Sequence, residues 1–280
     1  MPAASFMRLR YHFWLSLARH ILLVCGLGMV FASQAWAQCV KTVRWSDDAP
    51  YSFKLPNGEV SGFSPDLMRV ALKAMQCEAR FLELPWARAL RELEQGRLDI
   101  LPGALRTPER EQFAYFSRPV NKSPNVLYVV KKAENQFQLS ALSDIAGTTF
   151  RLGAQIGVAY GPDYDALVKK PAFAARITQV TNRRNAWRMM AQDRLDGIIA
   201  DEITAVHELQ QLGLADAIVK TDVVVSVGAA LLALSKASLT PEFAKELDRV
   251  LDEMMRDGSY QKIRAQYVPC NASAAKVDCR

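Results

Sequence analysis

The sequence predicts an α/β protein of two similar lobes, each a mostly parallel sheet flanked by helices. Three observations carry this. Strand-like and helix-like segments alternate along the chain, the order that builds parallel sheets covered by helices. A helix-to-strand turn, Gly96-Arg97-Leu98-Asp99-Ile100-Leu101, returns about a hundred residues later as Asp193-Arg194-Leu195-Asp196-Gly197-Ile198-Ile199. Two extended apolar stretches, 126–130 and 223–234, separate the lobes and carry the chain across and back.

The first residues read as a leader. Arg8, Arg10 and Arg19 precede an apolar run over 21–32, which is shorter than the roughly 20 residues a membrane span needs. The run ends at Ala35-Trp36-Ala37, small residues where a signal peptidase cuts. Residues 1–37 are therefore expected to be a signal peptide, with Gln38 first in the exported chain. Cys25 follows Val24 inside the apolar run, which disfavours a lipid anchor. The leader carries three arginines and no acid, so its removal lowers the net charge from +6 to +3. With no long Lys/Arg run, nucleic acid is not an expected partner.

In the exported chain 41–45 reads as a strand, and Ser64-Pro65-Asp66 as a helix start with Ser as N-cap and Pro at the first helical position. Apolar residues from Leu67 to Met75 follow at helical spacing. A strand over 79–84, a helix from about Trp86 that Gly96 stops, and a strand over 98–101 complete a βαβαβ unit. In the second lobe an amphipathic helix with Ala186, Met189 and Met190 inward precedes the repeated turn. Thr240-Pro241-Glu242 caps a long final helix that packs back on the first lobe, and a short one follows with Tyr260, Ile263 and Tyr267. The boundaries expected are 38–122 plus 229–280 for the first lobe and 123–228 for the second.

Four cysteines survive removal of the leader: Cys39, Cys77, Cys270 and Cys279. An even number in an exported protein favours disulfides. Of the three pairings, Cys39–Cys77 with Cys270–Cys279 is preferred, because each joins segments at one end of the molecule. There is no CxxC, and the histidines are scattered, two of them in the leader. No metal and no cofactor are expected.

Ligands of open α/β sheets bind beyond the carboxyl ends of strands. Beyond one strand comes Arg110, beyond another Asp201. If they face one cleft, Arg110 grips a carboxylate through two parallel charged hydrogen bonds and Asp201 accepts from an ammonium, which suits a zwitterion. Read locally, Thr107-Pro108-Glu109 is also an ordinary helix start, which makes Arg110 a surface residue, and Asp201 is also a helix cap. Trp86 and Tyr51 stand in strand-end loops, either as pocket walls or as core aromatics. The glycines of 153–161 can expose N–H groups to an anion, but the segment is neither GxGxxG nor a P-loop.

At these residues the chain resembles family 3 of the periplasmic solute-binding proteins, the polar-amino-acid receptors of ABC importers. The matching stretches are Ala49-Pro50-Tyr51, Gly58 to Phe63, Gly96-Arg97-Leu98-Asp99, Thr107-Pro108-Glu109-Arg110, Phe116-Ser117-Arg118-Pro119, Arg194-Leu195-Asp196-Gly197, Asp201 and Asp257-Gly258-Ser259-Tyr260. The resemblance implies a two-lobed type II periplasmic-binding fold, with Arg110 on the ligand α-carboxylate and Asp201 on the α-ammonium. Trp86, Tyr51, Thr107, Asp48, Arg106, Gly157 and Val158 complete the expected ligand-binding set. It also implies a periplasmic monomer serving an inner-membrane ABC permease. This chain departs from the family where Gly103-Ala104-Leu105-Arg106 replace the usual hydroxyls and where Val158 follows Gly157. Fewer hydroxyls and an extra Arg106 point to a second carboxylate or a different acid. A rival is a dehydratase on the same fold, whose acid or base would be Asp48, Asp201 or Glu202. A ligand-sensing module for a membrane receptor is another.

Overall fold

The computed structural model describes residues 39–268; the expected leader, Cys270 and Cys279 lie outside the described residues. The chain begins with β1 (Cys39–Trp45), a short hairpin of β2 (Phe53–Lys54) and β3 (Val60–Ser61), then α1 (Phe63–Ala74) and β4 (Cys77–Glu83). Next come α2 (Trp86–Glu94), β5 (Ile100–Ala104), α3 (Pro108–Glu111), β6 (Ala114–Phe116) and β7 (Asn121–Lys122). Then follow β8 (Asn125–Val130), α4 (Lys131–Gln136), β9 (Leu152–Gln155), α5 (Pro162–Leu167), α6 (Pro171–Ala174) and β10 (Ile177–Val180). The chain continues with α7 (Arg183–Ala191), β11 (Gly197–Asp201), α8 (Glu202–Gln211), β12 (Ile218–Ser226) and β13 (Ala229–Ser235). It closes with α9 (Pro241–Arg256) and α10 (Ser259–Tyr267).

The strands form two sheets of matching order. One runs β4-β1-β5-β13-β6 with β7 beside β13, the other β10-β9-β11-β8-β12. Both are mixed. The βαβαβ half is parallel in each, as β4-β1-β5 and β10-β9-β11. The strands at the crossings run antiparallel to it. The stretch 223–234, read in sequence as one crossing, is two strands in two sheets: β12 pairs with β8 and β13 with β5. The chain leaves the first sheet after β7 and returns to it at β13.

Local chemistry explains most boundaries. Thr107 and Thr240 cap α3 and α9, each accepting from a backbone N–H, and each is followed by Pro at the first helical position. α1 begins earlier than Ser64-Pro65-Asp66 suggests, with Gly62 as N-cap at φ +117°. A Cβ on Gly62 would stand 2.7 Å from the Tyr51 carbonyl, so only glycine lets this turn close. The repeated Leu-Asp turn does the same work in each lobe. Asp99 accepts from the Thr42 N–H at 2.7 Å, and Asp196 from the Arg151 N–H at 2.7 Å, tying each turn to its neighbouring strand.

Phe63, Leu67, Leu72, Leu247 and Leu251 pack on one face of the first sheet, with Tyr260 and Tyr267 of α10 against them. Leu84, Ala89, Leu93 and Leu101 fill the other face. The second sheet has its own core around Phe150, Phe173 and Trp187. In α7 the inward residues are Ala186, Trp187 and Met190, while Met189 stays half-buried. Cys39 and Cys77 are register partners on β1 and β4, and their Cα atoms lie 4.5 Å apart in a disulfide.

Candidate functional site

A cleft of about 550 Å³ lies where the two sheets face each other, lined by residues of both. From the first sheet come Arg44 of β1, the loop after it with Asp47, Asp48 and Tyr51, then Trp86 at the start of α2, and Arg110 of α3. From the second come Val158 and Tyr160 after β9, Arg183 at the start of α7, Asp201 at the end of β11, and Glu208 of α8.

Arg110 is buried at 7% exposure although it sits on a four-residue helix. Its guanidinium donates to the Leu105 carbonyl at 2.7 Å and, across the cleft, to the Gly157 carbonyl at 2.8 Å. The Trp86 indole N–H donates to the same Gly157 oxygen at 2.9 Å. The second-lobe loop thus meets the first lobe with a carbonyl rather than with the N–H groups its glycines suggested. Burial pushes the Arg110 pKa down, partly offset by Asp165 and Glu109.

Asp201 caps α8. Its Oδ1 accepts from the Thr204 N–H and hydroxyl, each at 2.9 Å. Burial raises its pKa, while the Thr204 bonds and the Arg183 charge pull the other way. Tyr51 accepts from Asn121 Nδ2 at 2.6 Å, and burial together with the Asp201 charge holds its phenol well above the usual range. Asn121 Oδ1 is buried in the cleft with no protein partner.

Arg183 and Glu208 were not expected from the sequence. Glu208 is 1% exposed and accepts from Arg183 Nε at 2.8 Å and from the Trp187 indole at 2.6 Å. Arg183 also donates across the cleft to Asp48, and neighbouring Arg184 pairs with Asp47 at 3.4 Å. Burial works against the Arg183 charge, but Glu208 and Asp48 outweigh it and hold its pKa above the ordinary value. Arg183 carried one signal: a cation in the first turn of a helix opposes the macrodipole and calls for a nearby acid. Glu208 carried only its position on the apolar face of α8.

Gly157 and three other expected residues lie outside the cleft lining. Thr107 spends its hydroxyl as the cap that accepts from the Arg110 N–H. Arg106 turns to Glu111 at 3.6 Å and lies 5.5 Å over the Phe116 ring. Glu202 is paired with Lys220 at 2.7 Å.

Residues 42–269 match the bacterial extracellular solute-binding proteins, family 3. The histidine-binding periplasmic protein of Escherichia coli K12 is 24% identical over 261 residues, 88% of this chain and 96% of that protein. A substrate-binding protein of an ABC uptake transporter from Streptococcus pneumoniae, solved with bound histidine, has a TM-score of 0.71 at 22% identity, over 84% of this chain and 94% of that one. An ancestral amino-acid-binding protein described as a precursor of cyclohexadienyl dehydratase has a TM-score of 0.66 at 23% identity, over 81% and 95%.

Proposed function

Because the chain belongs to the bacterial extracellular solute-binding proteins, family 3, we propose that it captures a small polar solute, an amino acid or a related amino or organic acid, between its lobes. It acts in the periplasm, alters no bond in the solute, and hands it to an inner-membrane ABC permease. The leader read over residues 1–37 and the periplasmic relative support the compartment.

One observation carries the reading: the cleft sets Arg110 and Trp86 on one wall and Asp201 on the other. Among the described residues Arg110 donates to carbonyl oxygens alone, which a carboxylate outcompetes because charge-assisted bonds are roughly twice as strong. Micromolar affinity needs about −8 kcal/mol, within reach of two desolvated charge contacts and an aromatic wall. Asp48 and Glu208 are held by Arg183, and Glu202 by Lys220, an arrangement that favours holding a solute over moving its protons.

Thermal-shift screening of the processed protein against amino acids, polyamines and small organic acids identifies the ligand by its rise in melting temperature. Calorimetry then compares Arg110→Ala and Asp201→Ala with wild type, and each is expected to bind at least tenfold more weakly. Unchanged affinity in both variants places the site elsewhere. A change in ligand mass after overnight incubation makes the protein an enzyme.

A further inference from the structure

We propose that the solute carries two anionic groups, one held by Arg110 and the other by Arg44, beside Trp86. This rests on reading the cleft as the solute site and names the class of solute.

The cleft's charges divide in two. Second-lobe Arg183 and Arg184 have carboxylates of the protein itself: Glu208 and Asp48 for the first, Asp47 for the second. Arg188 is exposed and donates to Asn185. Arg44 and Arg110 differ. Among the described residues neither has a carboxylate within ion-pair distance. Arg44 donates to the Leu84 carbonyl at 3.1 Å and the Ser46 hydroxyl at 2.5 Å. Burial lowers its pKa to about 10, and Asp48, the acid that most supports it, is already engaged by Arg183.

The two guanidinium carbons lie 5.4 and 5.8 Å from the Trp86 ring, so the sum of these bounds their separation near 11 Å. A small molecule reaches both. Desolvating a cation without a counter-ion is costly, and here two such cations flank one aromatic. A solute with a single carboxylate neutralises one of them and leaves the other uncompensated in a closed cleft. A solute with two acidic groups satisfies both. Arg106, the sequence's candidate for a second carboxylate, already faces Glu111, and Arg44 takes that place.

The test is calorimetry on the processed protein with L-glutamate, L-aspartate, glutarate and succinate against L-glutamine and L-arginine, repeated with Arg44→Met and Arg110→Ala. At least one diacid is expected to bind tenfold or more tighter than L-glutamine and L-arginine. Arg44→Met is expected to erase that margin while keeping the unliganded melting temperature. Arg110→Ala is expected to weaken every binder. If L-glutamine or L-arginine binds as well as the best diacid, or if Arg44→Met keeps the margin, the diacid reading falls and the solute site stands. Absence of diacid binding up to about 10 mM also overturns it; a ligand from the broader screen then keeps the proposed function alone.

Discussion

In the first lobe the helix joining the second parallel strand to the third starts at Trp86; in the second lobe the matching helix starts at Arg183. Beyond the third strand the first lobe puts Arg110 into the cleft and the second puts Asp201. The frames agree in strand order, yet the electrostatics differ. The second lobe buries an arginine with its own acid, Glu208, and ties that acid to Trp187. The first lobe leaves Arg44 and Arg110 on carbonyls, a hydroxyl and a ring face. Bracing differs as well: the Cys39–Cys77 disulfide locks β1 to β4, while the matching strands start at Leu152 and Ile177 and rely on packing. One scaffold thus supports a half whose cleft arginines are met by carboxylates, Glu208 of its own and Asp47 and Asp48 from across the cleft, and a half whose cleft arginines are left for a guest.

The strongest way to break this comparison is Glu208→Ala. It takes one of two carboxylates from the Arg183 guanidinium, leaving Asp48, and strands the Trp187 indole N–H, so urea unfolding should show a loss of about 2–4 kcal/mol. A loss below about 1 kcal/mol means that Glu208 is not what neutralises Arg183. Replacing Cys39 and Cys77 by Ser opens a loop closed across a separation of 38 residues, and is expected to cost about 2–4 kcal/mol. Hydrogen exchange should quicken in β1 and β4 and stay unchanged in β9 and β10; equal quickening in both lobes shows that the staple is not local.

Asp48→Asn removes the first-lobe acid from Arg183 but spares Glu208. Small-angle scattering of the unliganded protein is expected to show a larger radius of gyration, with little change in melting temperature. The pH response is subtler. Burial raises the Asp201 pKa in the folded state, so its contribution to stability is present below the unfolded carboxylate range and lost as pH rises through the raised value. Asp201→Asn should flatten that part of the stability profile, and an unchanged slope assigns it to another group. The smallest effect belongs to Arg106→Ala. Its pair with Glu111 is half-exposed, so stability should move by less than about 1 kcal/mol and solute affinity by less than twofold.

Much of the frame is legible in the residues themselves. Thr107-Pro108 and Thr240-Pro241 announce their helices because cap and fixed φ act within one turn. The two Leu-Asp turns announce the second lobe because each Asp performs a local tie. The break between β12 and β13 is not legible: from Val223 onward the residues of both are mostly apolar, and little besides Ser226 and Gly228 interrupts them. In the site, Trp86, Arg110, Asp48, Tyr51 and Asp201 come to the cleft from the ends of strands, where topology directs attention. Arg44 escapes because alternation along β1 makes it look like a solvent-facing strand residue. Glu208 escapes because an acid in mid-helix usually faces water, and only the three-dimensional approach of Arg183 and Trp187 gives it partners.

The Gly157 carbonyl, which takes hydrogen bonds from both Trp86 and Arg110, has a kinetic consequence. An arriving acid at Arg110 has to evict a peptide oxygen already seated there, so capture waits on a unimolecular release. Stopped-flow traces of Trp86 fluorescence should then level off as solute is added, at a ceiling set by how often that loop lets go.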